Sequence, residues 1–307
     1  MESKNRLKRR RINEVNSNTH TTTLPTGETN TYFCQRILFF LCYILGVILL
    51  CYLGITYLLR TDYTDSPGQD ITYNITCQPS EHDKVYPNCS PNNCARILVN
   101  EFLTPHRVSQ LVRLVKKALE HGRSDGGASI FDFNSGAISK GDKFINVYSI
   151  HTATGEDPVF NDGEFNILYE IIDRVHMRIA GYFGLNKENL YLTNPTFFSE
   201  MTARPARTIH DEYWHTHIDK QTYESFEYTS LLYLSEYDRD FKGGSFTYVD
   251  NGKESGMTIQ PRPGLLSIFT SGNENPHKVE KIRDGVRYAL TIGFTCDPNK
   301  RINLSNN

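Results

Sequence analysis

At 307 residues the chain has room for one sizeable domain plus appendages. Its 33 Lys and Arg nearly balance 35 Asp and Glu, for a formal net charge of -2. No overall basic field is present, which argues against a nucleic-acid partner.

The basic residues are unevenly placed, with Lys4, Arg6, Lys8, Arg9, Arg10, Arg11 and Arg36 all preceding residue 37. Residues 1–36 read as a basic tail without a packed core. From Ile37 to Leu59 no residue is charged, and about 20 apolar residues suffice to cross a bilayer. A cleaved signal peptide has a shorter apolar core nearer the start, so 37–59 is expected to be an uncleaved transmembrane signal-anchor. The positive-inside rule then leaves 1–36 in the cytosol and the rest in a secretory lumen, endoplasmic reticulum or Golgi, as a single-pass type II membrane protein.

Residues 60–94 read as a lumenal stem rich in Pro, Asn, Asp and Ser. Asn74-Ile75-Thr76, Asn88-Cys89-Ser90 and Asn303-Leu304-Ser305 are N-glycosylation triplets, whereas proline excludes Asn194-Pro195-Thr196. Cys34, Cys42 and Cys51 lie beside or within the apolar span, leaving Cys77, Cys89, Cys94 and Cys296 beyond it. Four cysteines in an oxidising lumen suggest two disulfides of open connectivity, and the lack of a Cys-x-x-Cys pair argues against zinc.

Residues 95–198 are expected to form a helical support region. Thr104-Pro105 suits a helix start, followed by the stripe Val108, Leu111, Val112, Val115, Ala118 and Leu119 and a stop at Gly122. A second helix is predicted from Glu164 to Tyr182, with Ile167, Leu168, Ile171, Ile172, Val175 and Ile179 on one side. Both stripes read as core.

After Asn189 the pattern changes to short β-rich runs: 190–198, 213–219, 226–234, 245–249, 265–270 and 286–296. Gly243-Gly244, Pro263-Gly264 and Asp284-Gly285 punctuate them. The expected class is α+β, with residues 199–298 forming a sandwich or jelly roll that carries the helices on one sheet.

Residues two apart on a strand share a face, so His217 and Asp219 can present an imidazole nitrogen and a carboxylate oxygen to one ion, with His277 as third donor. Two histidines and one carboxylate on one face leave the other positions of an octahedral ion open, the donor set of non-haem Fe(II) oxygenases. His215 shares that face, and His210 and Asp211 add further donors, so alternation alone does not choose among them. In the last run Arg287, Ala289, Thr291 and Gly293 alternate with Tyr288, Leu290, Ile292 and Phe294. The first set is small and polar, and an arginine pointing into a barrel needs an anionic partner, which a dicarboxylate would supply.

The ordered set His217-Ile218-Asp219, Tyr233-Leu234, Gly243-Gly244-Ser245-Phe246, His277 and Arg287-Tyr288-Ala289-Leu290-Thr291 resembles the prolyl 4-hydroxylase-like branch of the 2-oxoglutarate and Fe(II)-dependent oxygenases. That resemblance implies a double-stranded β-helix with Fe(II) on His217, Asp219 and His277. It implies Arg287 on the distal carboxylate of 2-oxoglutarate, Tyr233 hydrogen-bonded to the same co-substrate, and His215 outside the ligand set. Ascorbate dependence and a protein or peptide substrate are also implied. Collagen-type members carry Lys where this chain has Arg287, so a collagen substrate does not carry over. Two other readings use the same residues: a non-catalytic ligand-binding barrel, and a zinc hydrolase, since two histidines and a carboxylate can also hold catalytic zinc.

Overall fold

The computed structural model describes residues 28–61, 70–79, 84–150, 155, 157–250 and 256–302, with their side chains except at 28–35, 53–61 and 210. The basic cluster Lys4 to Arg11 and the triplet at Asn303 lie outside the described residues. The chain separates into two compact units, 1–64 and 65–307.

The first unit contains one helix among the described residues, α1 (Glu28–Thr61), which carries the whole uncharged stretch 37–59. Its described side chains are exposed, Phe39 at 76% and Leu50 at 70%. Among the described residues no helix is long and apolar enough to cross a membrane.

The second unit runs β1 (Ile71–Ile75), β2 (Cys94–Val99), α2 (Pro105–Leu119), β3 (Ala128–Asp132), β4 (Ala137–Lys140), β5 (Lys143–Asn146) and α3 (Asp162–Phe183). It continues through β6 (Tyr191–Thr202), α4 (Asp219–Tyr223), β7 (Tyr228–Tyr233), β8 (Phe241–Gly243), β9 (Phe246–Tyr248), β10 (Thr258–Ile259), β11 (Leu266–Thr270), β12 (His277–Val279) and β13 (Ile282–Thr295). The larger sheet is ordered β1-β2-β11-β7-β13-β6-β3-β4-β5, with β8 also paired to β13, and the smaller is β10-β9-β12. All these pairings are antiparallel.

Both predicted helices form, with ends near those expected. Thr104 Oγ1 accepts from Arg107 N–H and Pro105 opens α2, while Asn161 and Glu164 make a reciprocal capping box at the start of α3. Each helix buries six side chains, and at about 1.5–3 kcal/mol per large apolar side chain this burial outweighs helix propensity as their source of stability. They pack with the outward residues of the larger sheet, including Tyr288, Leu290, Ile292 and Phe294 of β13. A second apolar cluster lies inward and holds Leu231, Tyr233, Phe246, Phe269, Val279 and Ala289. The alternation predicted for β13 thus divides two cores.

Two expectations need revision. Residues 95–198 are not only helical support, because they also supply β2 to β5 and most of β6. The strands β3 to β5 are only four or five residues long; β4 pairs with its sequence neighbours β3 and β5, and β3 joins the sheet through the distant β6. Nor is the 60–94 stretch only a spacer: β1 adds an edge strand beside β2. The cysteines pair Cys77 with Cys94 and Cys89 with Cys296, stapling this stretch to the sheet and to the end of β13.

Candidate metal centre

His217 and His277 face each other across one antiparallel bridge. The N–H of His217 donates to the His277 carbonyl at 2.9 Å, and the reciprocal bond is 3.0 Å. Their rings lie 4.4 Å apart between centroids. Asp219 Oδ1 sits 3.7 Å from His217 Nε2 and 3.6 Å from His277 Nε2. The three donor atoms fall within 4.8 Å of one another. Asp219 and His277 are buried, whereas the His217 side chain is 37% exposed, so the cluster opens on the His217 side.

The strand expected over 213–219 does not form. His217 has only its single bridge, and Asp219 is the first residue of α4. Lys220 N–H donates to the Ser271 carbonyl while Gln221 and Thr222 turn back to Ile218, so the backbone donors serve a turn rather than a ladder. This turn still brings the Asp219 carboxylate beside the imidazole of His217.

His215 does not join the cluster. Its ring is 66% exposed and lies 2.9 Å from Glu212, while its carbonyl accepts from His217 Nδ1 at 3.0 Å. The His210 side chain lies outside the described residues. Asp211 is buried and serves the loop before the site, accepting from Ser124 Oγ at 2.8 Å and from the N–H groups of Arg207, Thr208 and Ala128. Burial alone would raise its pKa, but these donors hold it below the usual carboxylate range.

Both histidines are oriented for ligation. His277 Nδ1 lies 2.9 Å from the Asn275 carbonyl, as His217 Nδ1 does from that of His215. A carbonyl only accepts, so each Nδ1 carries a proton, the tautomer that turns Nε2 toward the cluster as the free donor of a neutral ring. Burial pushes the His277 pKa down to about 4, with Asp219 opposing, so the imidazole is neutral at physiological pH. Thr229 Oγ1 donates to Asp219 Oδ2 at 2.7 Å and is itself 2.8 Å from Ser271 Oγ, leaving Oδ1 turned toward the histidines.

Arg287 lines the same cavity, of about 320 Å³. It is 1% exposed, and its Nη1 meets only the weak acceptor Met201 Sδ at 3.5 Å. Its Nε and Nη2 have no hydrogen-bond partner among the described residues, and neither has the buried Tyr233 hydroxyl. The guanidinium lies 5.5 Å from the centre of the Tyr233 ring. Burial lowers the Arg287 pKa, with Tyr233 and Tyr213 opposing. Room for this side chain depends on Gly244, where a Cβ would lie 3.2 Å from Arg287 Cδ and 2.3 Å from Ile282 Cδ1.

This donor set fits a divalent iron ion, and the unsatisfied guanidinium and phenol fit a carboxylate lying beside it. A family model described as the 2OG-Fe(II) oxygenase superfamily matches residues 204–294. The chain is 46% identical over 231 residues to the 2-oxoglutarate and iron-dependent oxygenase domain-containing protein 3 of Xenopus tropicalis, covering 75% of this chain and 72% of the relative. The chain belongs to the 2OG-Fe(II) oxygenase superfamily. Human prolyl 3-hydroxylase 2 is a more distant relative, 28% identical over 155 residues, covering 43% of this chain and 20% of that protein. A solved prolyl hydroxylase from Trichoplax adhaerens, in complex with a hypoxia inducible factor peptide fragment, aligns over 67% of this chain and 85% of its own at 18% identity and a TM-score of 0.45.

As a 2OG-Fe(II) oxygenase the protein is a 2-oxoglutarate-dependent dioxygenase that uses Fe(II) and 2-oxoglutarate. The oxygenase site also contains supporting groups that the sequence reading did not identify: Thr229, Ser271, Asn275 and Met201. Thr229 was within reach of the strand period, since it precedes Leu231 and Tyr233 on one face of β7. Met201 likewise alternates with Phe197 and Ser199 on β6, whereas Ser271 and Asn275 lie outside the strands.

Proposed function

We propose that this oxygenase is a type II, membrane-anchored dioxygenase that hydroxylates a side chain of a protein or peptide in the secretory lumen, on a double-stranded β-helix. The observation that carries the catalytic reading is the buried Arg287 with two unsatisfied nitrogens on the same cavity as His217, Asp219 and His277. Iron with 2-oxoglutarate uses both the three-donor face and a cation placed for a distal carboxylate, a combination that neither a zinc hydrolase nor a non-catalytic barrel requires.

The Nε2 atoms of His217 and His277 and Oδ1 of Asp219 would hold the iron. When bound with 2-oxoglutarate and O₂, iron supplies the oxidising chemistry that converts 2-oxoglutarate to succinate and CO₂ and places one oxygen atom on the substrate. Arg287 would pair with the distal carboxylate in a charge-assisted bond, and Tyr233 would donate its hydroxyl to the same group. Burial pushes the Tyr233 pKa up, so the phenol keeps its proton to donate. Phe246 and Phe269, packed around His277, exclude water from the inner side. Ile130, Phe144, Phe197 and Tyr223 give the cavity apolar walls suited to a side chain that is not charged.

The lumenal placement rests on the uncharged stretch of α1, on the two disulfides and on the exposed Asn74 and Asn88 of the glycosylation triplets. Asn303 is a third proposed acceptor. Glycosidase treatment of membrane-expressed protein is expected to increase its gel mobility, and Asn74→Gln with Asn88→Gln should reduce that change. An unglycosylated, carbonate-extractable protein would count against the placement.

The catalytic test is succinate formation by the purified full chain in detergent with Fe(II), 2-oxoglutarate and ascorbate, the last expected to sustain turnover. Succinate is expected with Fe(II) and not with Zn(II). A zinc-dependent hydrolysis insensitive to 2-oxoglutarate analogues would overturn the reading.

A further inference from the structure

The aim of His277 is set by buried groups that begin 181 residues earlier, at Arg96 of β2. The carbonyl of Asn275 fixes the Nδ1 proton of His277, and the Asn275 side chain, 1% exposed, is itself held at both ends. Its Oδ1 accepts from Arg96 Nε at 2.7 Å. Its Nδ2 donates to the Thr270 carbonyl at 2.8 Å and to the Thr270 hydroxyl at 3.2 Å. Arg96 Nη2 reaches the Glu274 carbonyl at 3.3 Å and Asp250 Oδ1 at 2.7 Å. The guanidinium also lies 4.1 Å over the ring of Tyr248, whose residue faces His277 across the smaller sheet. One cation thus grips the two residues before the turn into His277 and the strand beside it.

An ordinary ion pair does not account for this burial. The Asp250 side chain is 43% exposed against 6% for Arg96, and a solvent-screened partner repays little of the cost of burying a guanidinium. The bonds to Asn275 and Glu274 are the fully buried ones, and both end on the segment that presents the metal ligand. The stretch before β2 holds the same segment: Gln78 N–H donates to Glu274 Oε2 at 3.3 Å, and Cys77 is disulfide-linked to Cys94, two residues before Arg96.

We propose that Arg96 and Asn275 are positioning residues that set metal affinity by holding the His277 imidazole in its ligating tautomer and direction. This rests on the metal-centre reading above. Partners of ligating histidines typically change metal affinity by about 10- to 100-fold when removed.

The test is titration of the metal-free full chain with Co(II), read by visible absorption, for wild type, Arg96→Lys, Asn275→Ala and Asp250→Asn, with melting temperatures measured in parallel without metal. Arg96→Lys and Asn275→Ala are expected to weaken Co(II) binding about 10- to 100-fold while the protein remains folded, and Asp250→Asn to bind nearly as wild type. A merely structural role would lower the melting temperature and leave the affinity of the folded protein unchanged, which would overturn the proposal. Should Asn275→Ala fail to fold, Arg96→Lys carries the test, because it keeps the charge and the apolar stem and removes only the fork. Wild type that binds no Co(II) would instead overturn the metal centre itself.

Discussion

Asp219→Ala is expected to reduce succinate formation by more than about 100-fold, the upper range for losing a group that only supports a ligand, because here the only anionic donor of the cluster is removed. The two histidines would remain, each still held by a main-chain carbonyl through Nδ1. Two neutral nitrogens bind a divalent ion weakly without the carboxylate that offsets its charge, so added Fe(II) should restore little activity. The fold should survive, since Asp219 opens a helix of five residues and its one side-chain donor, Thr229, retains Ser271 as partner. Succinate formation and the melting temperature of the same preparation check this together. A folded Asp219→Ala protein that turns over 2-oxoglutarate at the wild-type rate would remove Asp219 from the centre.

Arg287→Met should separate binding from stability in opposite directions. Hydrogen bonds to charged groups contribute about 1.5–3 kcal/mol each, so losing a two-pronged grip on the distal carboxylate should raise the KM for 2-oxoglutarate by about 100-fold or more. Without 2-oxoglutarate, the same change should leave the melting temperature unchanged or raise it. The reason is the uncompensated burial: among the described residues Arg287 Nε and Nη2 lack partners and the third nitrogen meets only sulfur, so the co-substrate-free protein gains little from the charge it shields from water. Methionine keeps most of the apolar volume. A fall of many degrees in the co-substrate-free protein would show that Arg287 holds the fold together, and an unchanged KM would place the carboxylate elsewhere. Arg287→Lys should fall between, since an ammonium restores charge without the planar fork.

These two residues also show how far the sequence could be read. Arg287 was legible because β13 alternates strictly, and a strand of period two must send Arg287, Ala289 and Thr291 to one side and Tyr288, Leu290 and Ile292 to the other. Asp219 was legible for a partly wrong reason: alternation paired it with His217 on a strand, whereas a single bridge followed by a helical turn puts the two groups together. The same reasoning promoted His215, which the turn sends into solvent, with only its carbonyl serving the site.

By itself, then, the sequence determined what is encoded locally: the stripes of α2 and α3, the cap of α2, the two-sided β13, and the presence of two histidines, a carboxylate and an arginine in a telling order. Tertiary structure decided what depends on meetings between distant segments. It paired Cys77 with Cys94 and Cys89 with Cys296, brought β1 to the sheet edge, added Thr229 and Ser271 behind Asp219, and set Arg96 behind Asn275 and His277. Periodicity encodes which face a residue takes because backbone geometry fixes it locally. Which buried polar group it meets there is chosen only when the sheets close, since every such group must then find a partner away from water.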